Sequence, residues 1–417
     1  MPPSRVVPPV ATLPPPDTVL RHRSFQLFGS ARAASGIASQ MLSVAIGWQV
    51  YALSGSAFDL GLVGLAEFLP VLLLTLIVGH VVDRYDRRMV LQLCQAAEAV
   101  AAAVLAIGST GGWLGVYQIF AMAALIGAAR SFEGPAQQAL LPALVPRSLY
   151  TRAVALSSSA GQTAVILGPV LGGLLYIFGP AVVYWIATAL FFIGSLLVAV
   201  IKAERTAPRR EPATMRSVLA GIAFIRSQPQ VLGAISLDLF AVLLGGATAL
   251  LPIYARDILA TGPWGLGLLR SAPALGALVM SLLLAHWPLR RRVGKTMLAA
   301  VAAFGVATVV FAVSQSFGLS IGALIVLGAV DMISVVVRHS LVQLSTPDEM
   351  RGRVSAVSSI FIGTSNQLGE FESGLTAAWL GVVPAVVVGG LGTIFVALIW
   401  FRVFPQLRDV DQLEASP

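Results

Sequence analysis

The sequence is short of charge: Asp, Glu, Lys and Arg make up only 11% of its 417 residues, against about 25% in soluble domains. That shortage excludes an ordinary water-soluble domain. Cysteine is almost missing. The one copy, Cys94, lies inside an apolar run, so no internal disulfide can form. The four histidines are scattered at positions 22, 80, 286 and 339, and no Cys/His cluster suggests a metal. No paired histidines and carboxylates gather near one interface, which argues against a membrane-embedded enzyme. Gly294-Lys295-Thr296 is not a phosphate loop, because Leu289 stands where the motif needs its first glycine and a helix precedes it where a strand is required. With neither nucleotide nor cofactor implied, the energy for any transport must come from a gradient. Lysine is scarce too, at two residues against twenty-five arginines.

Apolar residues are abundant, at 57%. Stretches of about 20 such residues recur, enough to cross a hydrocarbon layer of about 30 Å as helices. The run Val71-Leu72-Leu73-Leu74-Thr75-Leu76-Ile77-Val78 does not alternate apolar with polar, which excludes a transmembrane barrel strand. The expected fold is therefore all-α and integral to the membrane, with twelve spans. They are placed at 25–52, 59–82, 88–108, 114–138, 152–177 and 180–201, then 230–254, 264–287, 296–314, 319–343, 354–379 and 382–403. The corresponding division is a disordered Pro-rich tail at 1–22, a six-helix half at 23–202, a linker at 203–229, a second half at 230–404 and a tail at 405–417. The first sixteen residues hold seven prolines and no apolar core of the kind a signal peptide needs. In the linker, Met215, Val218, Leu219, Ile222 and Ile225 recur at helical spacing, predicting an amphipathic helix along the membrane surface.

Orientation follows from the basic residues. With both termini inside, the internal segments collect 22 of the 27 Lys and Arg residues, while only Arg256 and Arg270 count as external. Arg32, Arg130 and Arg338 fall within spans. The basic residues then set topology and meet anionic lipid, which accounts for the net charge of +8 without nucleic acid.

An internal repeat is legible. Pro146-Arg147-Ser148-Leu149-Tyr150-Thr151-Arg152-Ala153-Val154-Ala155-Leu156-Ser157-Ser158 aligns with Pro347-Asp348-Glu349-Met350-Arg351-Gly352-Arg353-Val354-Ser355-Ala356-Val357-Ser358-Ser359 at an offset of 201 residues. Each copy joins the fourth span of its half to the fifth. Two parallel six-helix repeats with a solute site between them are the arrangement of major facilitator transporters.

Gly79-His80-Val81-Val82-Asp83-Arg84-Tyr85-Asp86-Arg87-Arg88 joins spans two and three. It resembles the signature loop of the major facilitator superfamily, G-x-x-x-D-x-x-G-R-R/K, with Asp86 in place of the second glycine. As a conformational latch that also includes Arg84, Gly79 allows close helix approach, Asp83 suits the N-terminus of span eleven, and Arg87 and Arg88 hold acids or lipid phosphates. A plain positive-inside loop is the simpler alternative. The matching loop of the second half, Leu289 to Lys295, has lost the acid.

Ionisable residues inside spans are costly and usually functional. The resemblance implies that spans one, four, seven and ten line a cavity. Arg32, Arg130, Glu133, Asp238 and Asp331 fall in those spans and are the candidates for solute contact and proton coupling. Arg130 and Glu133, three residues apart, share a helix face and can pair. Static ion pairs between helices are the structural alternative. Glu98, in span three, is expected outside the cavity, and Arg338 is expected to snorkel toward the interface. In the implied packing of spans two and eleven, Glu67 and Glu370 form a carboxylate pair that can gate on protonation.

Three segments resemble the enterobactin-exporter-like branch of the superfamily. They are Arg21-His22-Arg23-Ser24-Phe25 with Gly47-Trp48-Gln49-Val50-Tyr51; Arg130-Ser131-Phe132-Glu133-Gly134-Pro135-Ala136; and Arg351-Gly352-Arg353-Val354-Ser355 running on to Phe361 through Gly374. The resemblance implies export of a siderophore from a bacterial cytoplasm across the inner membrane, driven by protons through alternating access, by a monomer with both termini cytoplasmic. A catecholate solute would need aromatic faces and cations, for which Trp48, Tyr51, Phe132, Arg32 and Arg130 are candidates. A broad-specificity drug/proton antiporter on the same fold is the alternative.

Overall fold

The structure, a computed structural model, describes residues 18–202 and 215–412. Residues 1–17 of the Pro-rich tail, the first part of the linker (203–214) and the last five residues lie outside the described residues, whereas Val19–Arg21 of the tail expected to be disordered form a short helical turn with Val19 buried. Helices dominate and no strand occurs among the described residues. The crossing helices are α1 (Arg23–Ser54), α2 (Ala57–Arg84), α3 (Arg87–Gly111), α4 (Val116–Leu140), α5 (Tyr150–Leu175) and α6 (Pro180–Val200). The second half follows with α7 (Pro229–Leu244, continued below), α8 (Gly262–His286), α9 (Val293–Val313), α10 (Phe317–Leu344), α11 (Asp348–Leu380) and α12 (Val382–Val403).

Local chemistry explains the boundaries. Gly55 and Gly112 end α1 and α3 in left-handed conformation, φ 63° and 69°, which glycine adopts without a Cβ clash. Ser56 caps α2, its side chain accepting from the Asp59 amide at 3.2 Å. The seventh crossing is broken. After Leu244 the chain passes Gly245 and Gly246, then a tight turn at Ala247–Leu250 and a wide one at Tyr254–Ile258. A Cβ on Gly246 would drive into the Gly369 carbonyl, so the break lets α11 press against bare backbone.

The neighbour pattern of the first half recurs six helices later. α1 packs on α5 and α6, as α7 does on α11 and α12. The α2–α4, α3–α4 and α3–α6 pairs return as α8–α10, α9–α10 and α9–α12. Gly127 meets the Glu67 carbonyl across α2–α4, and Gly328, 201 residues on, meets the Pro273 carbonyl across α8–α10. The halves join along two seams, α2–α11 and α5–α8. Each seam has glycine against glycine: Gly61 on Gly374, and Gly173 on Gly267.

The two ends of the bundle differ. At the end away from the chain termini, one apolar core takes residues from both halves, including Leu42, Ile46, Leu105 and Tyr184 with Leu250, Tyr254, Leu266 and Phe311. At the terminus-bearing end the cores are separate. One, around Phe28, Leu91 and Leu140, belongs to the first half; another, around Leu237, Met297 and Leu341, belongs to the second. The halves are therefore fused at the far end and independent at the near end. Polar ties reinforce the fusion. The Tyr51 hydroxyl donates to the Asp257 carboxylate, and Arg256 donates to the Tyr51 carbonyl at 3.2 Å while lying 5.4 Å from that ring's centroid.

The linker helix, Met215–Ser227, packs on α7 and α11. Its Ile225 is buried with Val354 and Val357, and Gly221 abuts the Arg353 carbonyl. One face of the expected amphipathic helix is thus packed as a strut on the second half. After α12 the chain folds back: Leu407 is fully buried, and the amides of Val293 and Gly294 donate to the carbonyls of Asp411 and Val410. At least this part of the expected tail is packed structure.

Candidate functional site

A cavity of about 240 Å³ lies between the halves, below the fused core. Its walls come from α1 (Ser39, Gln40, Ser43), α2 (Gly64, Glu67), α4 (Arg130), the broken seventh crossing (Ala249, Pro252), α8 (Arg270) and α11 (Gln367, Glu370), among others. Among the described residues, nine crossings are long and apolar enough to span a membrane on length and composition alone. The three that fall short are α1, α4 and α11. These are the helices whose serines, arginine, glutamine and glutamate line the cavity, so their lowered apolarity reflects the site itself.

Two arginines dominate. Arg130 donates through Nη1 to Glu67 at 2.9 Å and through Nη2 to Ser39 Oγ at 2.5 Å. Arg270 donates through Nη2 to Ser43 Oγ at 2.5 Å and through Nη1 to the Ser43 carbonyl at 3.4 Å. Ser39 and Ser43 are one turn apart on α1 and share a face, so one helix holds both guanidinium groups. Glu370 lies over the α2 backbone, where a Cβ on Gly64 would come 3.0 Å from its Oε2. It lines the same cavity wall as Arg270, Arg130 and Glu67. Two cations and two carboxylates thus face one another across the seam.

This changes the expected role of Glu67 and Glu370. They do line one cavity, but two arginines balance them, so they are not an unopposed acid pair. Arg270 is the principal addition. Sequence reasoning counted it as external, yet it stands eight residues inside α8 and reaches across to the other half. An arginine within a 25-residue apolar helix was the available signal.

The remaining candidates separate into two clusters. In the first half, Arg32 Nη1 donates to Gln137 Oε1 at 2.7 Å, while Glu133 Oε1 accepts from Gln137 at 2.9 Å, Ser35 at 3.2 Å and Gln95 at 3.4 Å. Arg130 therefore pairs with Glu67 and not with Glu133, because it turns into the cavity and Glu133 turns toward α1 and α3. Glu98, expected outside the site, is completely buried, 3.9 Å from Arg130 Nε. In the second half, Asp238 forms a buried ion pair with Arg338, which does not snorkel. The 201-residue offset maps Gln137 onto Arg338, so α1–α4 and α7–α10 carry equivalent cross-ties. Asp331 and Ser334 line a separate void of about 10 Å³ with Asp238, walled by Ala300, Val301 and Phe304. Neither aspartate reaches the central cavity.

The aromatic candidates are also elsewhere. Trp48 packs edge-on against Tyr176 at 6.3 Å, Tyr51 belongs to the far-end tie, and Phe132 joins the near-end core. No aromatic side chain is among the described residues lining the cavity.

At the signature loop, Asp86 stands where the motif has glycine and caps α3, accepting from the Arg88 amide at 2.9 Å and pairing with its guanidinium at 2.8 Å. Arg88 also donates to the Ile201 carbonyl at 2.7 Å, and Arg87 to the Ala139 carbonyl at 3.1 Å. These bonds stay within the first half. Gly79, Asp83 and Arg84 lie on the last two turns of α2. Asp83 makes no hydrogen bond or ion pair among the described residues, and α11 starts at Pro347 without a side-chain cap. The expected contact between Asp83 and that helix end is absent here, where the two halves hold separate cores.

A family model described as transmembrane secretion effector matches residues 15–417. The chain is 26% identical over 413 residues to the enterobactin exporter EntS of Citrobacter koseri, covering 95% of each chain. It is 25% identical over 408 residues to the protein of that name from Shigella boydii, covering 94% of each. Among solved structures, a bacterial homologue of the human lysosomal transporter Spinster superposes with a TM-score of 0.74 at 12% identity, covering 93% of this chain and 98% of that one. The nucleoside transporter NupG superposes with a TM-score of 0.70 at 13% identity, covering 91% and 98%.

Proposed function

Because the chain belongs to the transmembrane secretion effector family, with the major facilitator fold, we propose that it exports an anionic, oxygen-rich solute of the siderophore class from the bacterial cytoplasm. The observation that carries this reading is the central cavity, where Arg130 and Arg270 are held by α1 serines and opposed by Glu67 and Glu370. A guanidinium fork suits carboxylate, catecholate and hydroxamate oxygens. The relatives named enterobactin exporters support the siderophore class.

Export proceeds by alternating access. The fused far end and independent near end correspond to a state open toward the side bearing the termini, which the distribution of arginine assigns to the cytoplasm. A solute entering there displaces Glu67 and Glu370 from the arginines. The near end then closes, with Asp83 reaching α11, while the Tyr51–Asp257–Arg256 tie releases at the far end. Proton entry drives the cycle, because the displaced carboxylates need a counter-charge that a proton supplies.

Inverted membrane vesicles test this. A catecholate siderophore and a cationic dye are presented in parallel under an imposed pH gradient. Siderophore uptake that requires the gradient and is lost in Arg130→Ala and Arg270→Ala is the expected result. Dye transport without siderophore transport would replace this reading with a drug/proton antiporter.

A further inference from the structure

A carboxylate buried in a membrane protein without hydrogen bonds is a costly charge. Glu98 on α3 is fully buried, and neither carboxylate oxygen has a hydrogen-bond partner among the described residues. One cation comes near it: Arg130 Nε at 3.9 Å from Oε1, beyond hydrogen-bond range. That guanidinium is already engaged on its other nitrogens by Glu67 and Ser39.

The surrounding groups leave Glu98 no other partner. α4 also presents Glu133, which is satisfied by Ser35, Gln95 and Gln137. Arg32 on α1 is turned to Gln137. α2 contributes Glu67, and α3 itself adds Cys94. The only ionisable residue of α6 is Tyr184, whose hydroxyl donates to Gln49 at 2.6 Å. This half thus sets the carboxyls of Glu67, Glu98 and Glu133 against Arg32 and Arg130. Of the three acids, Glu98 alone accepts no hydrogen bond.

We propose that Glu98 is the proton-binding site of the transporter, loaded in this conformation, with Arg130 as the arm that unloads it. Arg130 lies between two acids, on Glu67 now and one side-chain rotation from Glu98. As it turns to Glu98, that carboxyl gives up its proton to the vacated Glu67 carboxylate. Glu67 faces the cavity and passes the proton to water there. Until Glu67 releases it, one proton and one guanidinium are shared by the two carboxylates, so the turn of Arg130 itself creates no net charge in the interior; the charge left on release forms on Glu67, which faces the cavity. An anionic solute that draws Arg130 off Glu67 would trigger or block this turn according to the side from which it binds. The second half has no such arm among the described residues: the repeat places Asp331, an acid, at the position of Arg130, and it shares its void with Asp238 and Ser334.

This inference rests on the proton-driven reading above, but its first test needs no solute. Infrared spectra of the purified protein in lipid vesicles near neutral pH should show a protonated carboxyl band. Glu98→Gln should remove a component of that band and Glu98→Asp should shift it, while Glu370→Gln leaves that component in place. No such band in the wild type, or an unaltered band in Glu98→Gln, overturns the proposal. In vesicles, Glu98→Gln should retain downhill solute flux and lose its response to a pH gradient; an undiminished response also overturns it. A wild-type protein that shows the Glu98 band but moves no siderophore removes the solute assignment and leaves the proton site in place.

Discussion

Arg130 and Arg270 occupy comparable positions by different routes. One comes from the fourth helix of the first half and the other from the second helix of the second half, yet both end on serines of α1. Truncating a buried hydrogen-bonded charge costs about 2–5 kcal/mol, so Arg270→Ala should lower siderophore flux by more than about tenfold. Vesicle uptake measures this, and Arg291→Ala, exposed in the loop before α9, serves as the control. Asp238 and Arg338 make a different residue-scale case. Removing one member of a buried ion pair strands the other, at a cost of about 3–5 kcal/mol. Asp238→Asn should therefore lower the thermal unfolding temperature in detergent sharply, and Asp331→Asn, which removes an acid without a partner among the described residues, should not.

At the scale of helices, small residues decide how close the elements come. Gly127 lets α4 reach the Glu67 carbonyl, so it sets the position from which Glu67 meets Arg130. A methyl group there has no space and forces the helices apart, a strain of about 1–3 kcal/mol. Gly127→Ala is expected to weaken transport as well as stability, because it moves a cavity acid. Gly134→Ala, on the same helix with open space around it, should do neither. Thermal unfolding and vesicle uptake on both variants check this. The broken seventh crossing follows the same logic: its glycines expose backbone to α11 and bring Ala249 and Pro252 to the cavity wall.

Across the whole molecule, the state seen is a balance between two ends. The far end is held by a shared apolar core and by the Tyr51–Asp257–Arg256 tie; the near end has no shared core. Weakening the tie should shift the population toward far-end opening. In a Cys94→Ser background, a cysteine placed at Ser43 reports this through a membrane-impermeant thiol reagent. Added Asp257→Asn is expected to speed its labelling from the far side several-fold. An unchanged rate would make the tie incidental to the closure.

Much of this protein was legible in its sequence because the bilayer enforces simple rules. Apolar length shows where helices cross, and the repeat at Pro146 and Pro347 gives two related halves, which the recurring neighbour pattern of α1–α6 and α7–α12 reproduces. Charges within spans marked Arg130, Glu67 and Glu370, since only a polar lining repays their cost there. Tertiary structure alone decided the partners. Helical spacing put Glu133 beside Arg130, but their side chains take different partners, Arg130 on Glu67 and Ser39 and Glu133 on Ser35, Gln95 and Gln137. Arg270 looked external by position and is central by reach. Glu98 looked peripheral by helix number and is the most deeply enclosed acid of its half. Spacing along one helix fixes a residue's depth and face, whereas its partner depends on which other helix turns toward that face, and that is set by packing between segments far apart in the chain.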